Sequence, residues 1–89
     1  MDFDWDPAKA ATNEDKHGVP FGRAVEVFVD GGRIDFDVSR EADHEIRRKV
    51  VGYVGGRVIT VVYTIREGRV RLISARPPNA QELRRHGDR

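Results

Sequence analysis

Apolar residues along this chain change their spacing twice, and each change marks a change of element. Phe21, Ala24, Val25 and Phe28 fall at i, i+3, i+4 and i+7, which predicts a helix from about Phe21 to Phe28 with one buried face. From Arg33 to Val38 the spacing drops to two: Ile34, Phe36 and Val38 alternate with Arg33, Asp35 and Asp37, an amphipathic strand. Three further strand-like runs follow, about Ile46–Val54, Arg57–Arg66 and Arg69–Arg76. They are separated by the two-residue links Gly55-Gly56 and Glu67-Gly68, strong hairpin signals. Upstream, Phe3-Asp4-Trp5 reads as a short strand. Asp6-Pro7 starts a helix that Gly18 stops after about His17. Ser39–His44 is a polar loop. Pro77-Pro78 ends the last strand, and Asn79 caps a short helix from Ala80 to about His86. The order β-α-α-β-β-β-β-α predicts an α+β fold: two N-terminal helices packed on an antiparallel meander sheet, with a short C-terminal helix.

Two-residue links also set the register, and with it the face of every side chain. Arg66 is expected opposite Arg69, Thr64 opposite Arg71 and Val62 opposite Ile73, with Lys49 opposite Val62 and Arg47 opposite Thr64. One face then collects Arg47, Lys49, Tyr53, Thr60, Thr64, Arg66, Arg69 and Arg71. The other collects Val50, Ile59, Val61, Tyr63, Ile65, Val70 and Leu72, a core face for the helices. Strict alternation places Arg76 on the core side with Ser74, where it is suited to pin the C-terminal helix unless the double proline turns it around.

Charge sharpens this picture. Residues 1–45 carry twelve acidic and five basic residues, whereas residues 46–89 carry three acidic and eleven basic. The overall charge of +1 therefore hides halves of −7 and +8. Like charges on paired strands repel, so an arginine-rich sheet face points to a polyanion or an acidic partner lying on it. On the first helix Lys9, Asn13, Lys16 and His17 share one face. Lys16 and His17 also suit the negative end of the helix dipole.

Other chemistry is absent from the pattern. The 89 residues are expected to form a single domain, 1–89, and contain no cysteine. His17, His44 and His86 lack metal-ligand spacing, and Gly55-Gly56 lacks the helix and the Gly-Lys-Ser/Thr ending of a phosphate loop. No metal or cofactor is expected. No apolar run is long enough for a membrane span, and the acidic start lacks a signal-peptide pattern; a cytoplasmic location is the expectation.

The segment Phe3-Asp4-Trp5-Asp6-Pro7-x-Lys9-x-x-x-Asn13-x-x-Lys16-His17-Gly18-Val19-x-Phe21 resembles the opening of the BrnT toxins. Thr64-x-Arg66-x-x-x-x-Arg71-x-Ile73-Ser74-Ala75-Arg76 resembles their closing strands. Ala24 with Val27-Phe28 and Glu45-x-Arg47 with Gly52 fall where that family has matching motifs, so the resemblance runs from Phe3 to Glu82. It departs in Val29–Asp43, at Pro78, and at His86, where the family often has a tyrosine. The resemblance implies a RelE-like fold and a ribonuclease that stops translation. It also implies a BrnA-like ribbon-helix-helix antitoxin partner, through which alone the pair would bind operator DNA to repress its own operon.

Metal-independent RNA cleavage needs charge on the phosphate oxygens and two proton transfers. Arg47, Arg66, Arg71 and Arg76 are the candidates for the first task, since guanidinium forks onto phosphate. His17 and His86 are the candidates for the second. Lys9, Lys16, Lys49 and Arg69 are expected to contact RNA, with Tyr53 or Tyr63 stacking on a base. The rival readings are a binding protein that does not cut, and a catalytically degenerate toxin acting only in autorepression.

Overall fold

A computed structural model describes residues 1–87; Asp88 and Arg89, the end of the expected 1–89 domain, lie outside the described residues. The chain forms β1 (Phe3–Asp4), α1 (Pro7–His17), α2 (Phe21–Ala24) running into a 3₁₀ segment (Val25–Val29), then β2 (Ile34–Asp37). A 3₁₀ turn (Glu41–Asp43) leads into β3 (Arg47–Val54), β4 (Arg57–Arg66), β5 (Arg69–Arg76) and α3 (Ala80–His86). The fold is α+β, as expected. The predicted second helix tightens to 3₁₀ geometry after Ala24.

End chemistry explains the helices. Asp6 Oδ1 accepts from the backbone N–H groups of Ala8 and Lys9, and Gly18 closes α1 in the left-handed region at φ 72°. Asn79 and Glu82 form a reciprocal capping box on α3. Both hairpin turns place their two central residues at positive φ: Gly55 and Gly56, then Glu67 and Gly68. That geometry matches the twist of the strands.

The sheet order is β1-β5-β4-β3-β2. It departs from a pure antiparallel meander, because β1 runs parallel to β5, with Phe3 beside Val70 and Asp4 beside Arg71. Beyond β1 the edge of β5 is covered by a side chain. Asn13 Nδ2 donates to Ala75 O (2.8 Å) and Asn13 Oδ1 accepts from Ala75 N (3.1 Å), as a neighbouring strand would. Asn13 thus anchors α1 to the sheet, on the same helix face as Lys9, Lys16 and His17.

The register follows expectation at Arg66–Arg69, Thr64–Arg71, Lys49–Val62 and Arg47–Thr64. It then breaks. Tyr63 faces Leu72, but Val62 faces Ser74, so Ile73 is an extra residue in β5. This bulge corrects the expected Val62–Ile73 pair and reverses the faces beyond it. Ala75 turns into the core beside Val61, and Arg76 turns to the polar face beside Thr60.

The main core joins Val19, Phe21, Ala24 and Val27 to Val50, Ile59, Val61, Tyr63, Val70, Leu72 and Ala75. Phe28 packs edge-on against Tyr63, and Trp5 edge-on against Phe21. Ile65, expected in this core, is 56% exposed, because it lies at the turn end of the β4–β5 hairpin, next to Glu67-Gly68. On the opposite face α3 packs over β3, giving that side a small buried layer of its own with Val51, Thr60, Glu82 and His86. No helix among the described residues is long and apolar enough to cross a membrane.

Candidate functional site

Helix α3 divides the polar face of the sheet in two. Under it, Glu82 is buried and every one of its polar contacts is internal. Arg76 Nη1 and Nη2 donate to its two carboxylate oxygens, both at 2.8 Å. Lys49 Nζ lies 2.8 Å from Oε2, and Thr60 Oγ1 and the Asn79 backbone N–H donate to Oε1. Burial acts to raise the Glu82 pKa, but the bonds from Arg76, Lys49 and Asn79 outweigh it and hold the carboxyl well below the usual range. Nearby, Arg85 lies over the Phe36 ring at 4.1 Å. The His86 ring packs edge-on against Tyr53, with Nε2 3.4 Å from Asp30 Oδ2. Arg76 pins α3, the alternative its sequence position left open, while Lys49, expected at RNA, and His86, expected in proton transfer, face partners within the protein. Tyr53 is half-exposed at the rim of this layer.

Tyr63 is likewise turned inward. It is buried on the helix side, where its hydroxyl donates to Asp35 and Arg48 Nε binds the same carboxylate at 2.7 Å. Burial first, then the Asp35 carboxylate, pushes the Tyr63 pKa up to about 12. A ring in this position cannot stack on a base. Arg69 points elsewhere again, lining a separate depression with Met1, Phe3 and Trp5.

Beyond α3 the polar face is open, and here four elements bring cations together. Lys9 of α1, Arg47 of β3, Arg66 of β4 and Arg71 of β5 line one cleft of about 110 Å³, with Thr64 and the bulged Ile73 in its wall. A larger groove of about 370 Å³ shares Lys9 and Ile73 with it and continues along α1 past Thr12, Lys16 and His17 to Ser74. The local reasons are plain. Cross-strand pairing sets Arg47, Thr64 and Arg71 in one row, and Asn13 holds α1 so that Lys9 reaches the end of that row.

Carboxylates stand among these cations. Glu45 receives Arg47 Nε on Oε2 and Arg66 Nη2 on Oε1, each at 3.3 Å. Asp43 lies 3.7 Å from Arg47 and is bound more closely by Arg40; the Arg40 bond outweighs a small burial effect and lowers the Asp43 pKa. Asp4 Oδ1 faces Arg71 Nη1 at 3.4 Å, within ion-pair range but not aligned as a hydrogen bond, and it has no hydrogen-bond partner among the described residues. Glu45 and Glu82 were not among the site residues expected from the sequence. The signal for Glu45 was its spacing: two residues from Arg47 along an extended segment, it shares that arginine's face. Glu82 carried a signal only as the third residue of a capping box. Among the described residues no group of three or more His, Cys, Asp or Glu side chains is arranged to hold a metal ion.

A family model described as "Ribonuclease toxin, BrnT, of type II toxin-antitoxin system" matches residues 5–82. The chain belongs to the BrnT family. A search of curated proteins returned no match. Membership makes the chain a ribonuclease toxin of a type II toxin–antitoxin system, and a type II toxin has an antitoxin partner. The matched span of this BrnT chain holds every cation of the open cleft and the Arg76–Glu82 clamp, and it ends before His86.

Proposed function

We propose that the chain is a metal-independent endoribonuclease of RelE-like architecture that blocks translation in the cytoplasm by cutting RNA in the Lys9–Arg47–Arg66–Arg71 cleft. The observation that carries this reading is the convergence of four cations from four elements on a cleft the size of a phosphate group, next to a groove large enough for a nucleotide. Arginine is suited to the task, because its planar fork binds two phosphate oxygens at once and stays charged throughout. Cleavage proceeds by attack of a ribose 2′-hydroxyl on the adjacent phosphate. Arg47, Arg66 and Arg71 stabilise charge on the non-bridging oxygens, and Lys9 binds from the helix side. Lys16 and His17 line the groove for the flanking nucleotide.

The partner is a BrnA-like ribbon-helix-helix antitoxin that covers the cleft with an acidic or mixed segment, and operator DNA is met only through it. The +8 charge of residues 46–89 supports such a counter-charge. The test is incubation of purified chain with RNA in the presence of a chelator. Cleavage with 2′,3′-cyclic phosphate ends is expected. Intact RNA at confirmed folding favours the non-cutting alternative, for which the carboxylates Asp4, Asp43 and Glu45 beside the cations are the motivating feature.

A further inference from the structure

We propose that Glu45 is the general base of the cleavage step, accepting the proton of the attacking 2′-hydroxyl. This rests on the reading of the cleft as a ribonuclease site.

Attack by a 2′-hydroxyl needs a proton acceptor within hydrogen-bond reach. Arginine stays protonated and cannot serve, and Lys9 is placed to bind phosphate from the helix side. None of the three histidines lines the cleft: His17 borders the neighbouring groove, His86 is buried under α3, and His44 is exposed on the loop before β3. Carboxylates remain. Asp6 is committed to the cap of α1, accepting two backbone N–H bonds on one oxygen. Asp4 has one oxygen buried against Arg71. Glu45 is different. It lines the cleft with a side chain 26% exposed, and only the tips of Arg47 and Arg66 hold it.

A plain counter-ion would have to leave when phosphate arrives. Glu45 need not. Each guanidinium carries five N–H donors. Arg47 spends Nε and Nη2 on Glu45, and Arg66 spends Nη2. The free donors, including Arg47 Nη1 and Arg66 Nε and Nη1, can take phosphate oxygens while the carboxylate stays. The two arginines therefore hold base and phosphate side by side, which is the alignment in-line attack requires. In the step, the 2′-hydroxyl proton passes to Glu45 as the O2′–P bond forms. The P–O5′ bond breaks, and the leaving O5′ takes a proton from water. The products are a 2′,3′-cyclic phosphate and a 5′-hydroxyl, and the Glu45 carboxyl then returns its proton to solvent.

The experiment compares wild type, Glu45→Gln and Glu45→Ala. Single-turnover cleavage of a short RNA is read across pH, alongside binding of the same RNA made uncleavable by 2′-deoxy substitution. The expected result for both variants is a rate loss of about 10²–10⁴, with the ascending limb of the pH–rate profile gone. Binding should be unchanged or tighter, since a negative charge has been removed. Added formate should restore part of the rate to Glu45→Ala and none to Glu45→Gln, whose amide fills the site. Cleavage by Glu45→Gln at the wild-type rate, or a parallel loss of RNA binding, overturns the proposal and leaves Glu45 a counter-ion or a positioning residue. Wild type that binds RNA without cutting it overturns the ribonuclease reading itself, and this inference with it.

Discussion

Arg76 at the end of β5 and Glu82 in α3 are joined by two parallel hydrogen bonds of 2.8 Å. The pair exists because Ile73 is bulged. Without the extra residue Arg76 would point into the helix-side core, and α3 would have no cation beneath it. The same clamp divides the polar face, closing the half that holds Lys49 and leaving open the half that holds Arg47, Arg66 and Arg71.

Removing one partner of this clamp is expected to be costly. Glu82→Ala leaves Arg76 and Lys49 without their counter-charge under α3, and breaking a buried pair in this way costs roughly 3–5 kcal/mol. Urea unfolding of Glu82→Ala, Arg76→Ala and the double variant checks it. The double variant should be less destabilised than the sum of the two singles, because the Arg76 charge left uncompensated by Glu82→Ala is removed with it.

Acid should weaken the same contact. The Glu82 carboxyl is held below its ordinary value of 4.5 in the folded state. A depressed folded pKa contributes stability that is present above the unfolded pKa and is lost as pH falls toward the folded one. Stability should therefore fall as pH drops from about 5 to about 3. Glu82→Gln, less stable at neutral pH, should show a shallower fall over that range in urea titrations.

Neighbouring positions on the β4–β5 hairpin should separate activity from folding. Arg66→Ala and Arg71→Ala are expected to keep the fold and lose about 10²–10³ in cleavage rate, the usual effect of losing one transition-state donor. Leu72→Asp should unfold the domain, since Leu72 is 3% exposed and an unpaired buried carboxylate costs several kcal/mol. Ile65→Asp should be tolerated, because Ile65 is 56% exposed. Circular dichroism and an RNA cleavage assay on the four variants test all of this.

Gly52→Ala should destabilise the fold without any change of charge. A Cβ there would lie 2.8 Å from Asp30 Oδ2 and 3.1 Å from both Arg33 Cβ and Val27 Cγ2. Asp30 Oδ2 also accepts the Tyr53 backbone N–H at 2.8 Å, so its displacement loosens β3 and the His86 contact together. A loss of about 1–3 kcal/mol is expected from such overpacking, read as a lower thermal midpoint.

Much of this protein was legible in its sequence because the determining interactions are local. Caps at Asp6, Gly18 and Asn79 act within a few residues, so α1 and α3 were placed at their observed bounds. Turns at Gly55-Gly56 and Glu67-Gly68 carried the register as far as Tyr63–Leu72, and with it the row of Arg47, Thr64 and Arg71. Tertiary structure decided what local rules do not reach. The Ile73 bulge leaves no mark on residue type, since isoleucine suits a regular strand equally well, yet it redirects Arg76. The parallel pairing of Phe3-Asp4 with β5 and the hold of Asn13 on Ala75 join residues more than sixty positions apart. The docking of α3 on the polar face took Lys49 and Arg76 out of the charged surface, because Glu82 offered both cations a counter-charge within the protein, and it buried His86 against Tyr53 and Asp30. Glu45 became part of the cleft for a related reason: Arg47, two residues along the chain, and Arg66, two residues past Arg47's β4 partner Thr64, both close on its carboxylate.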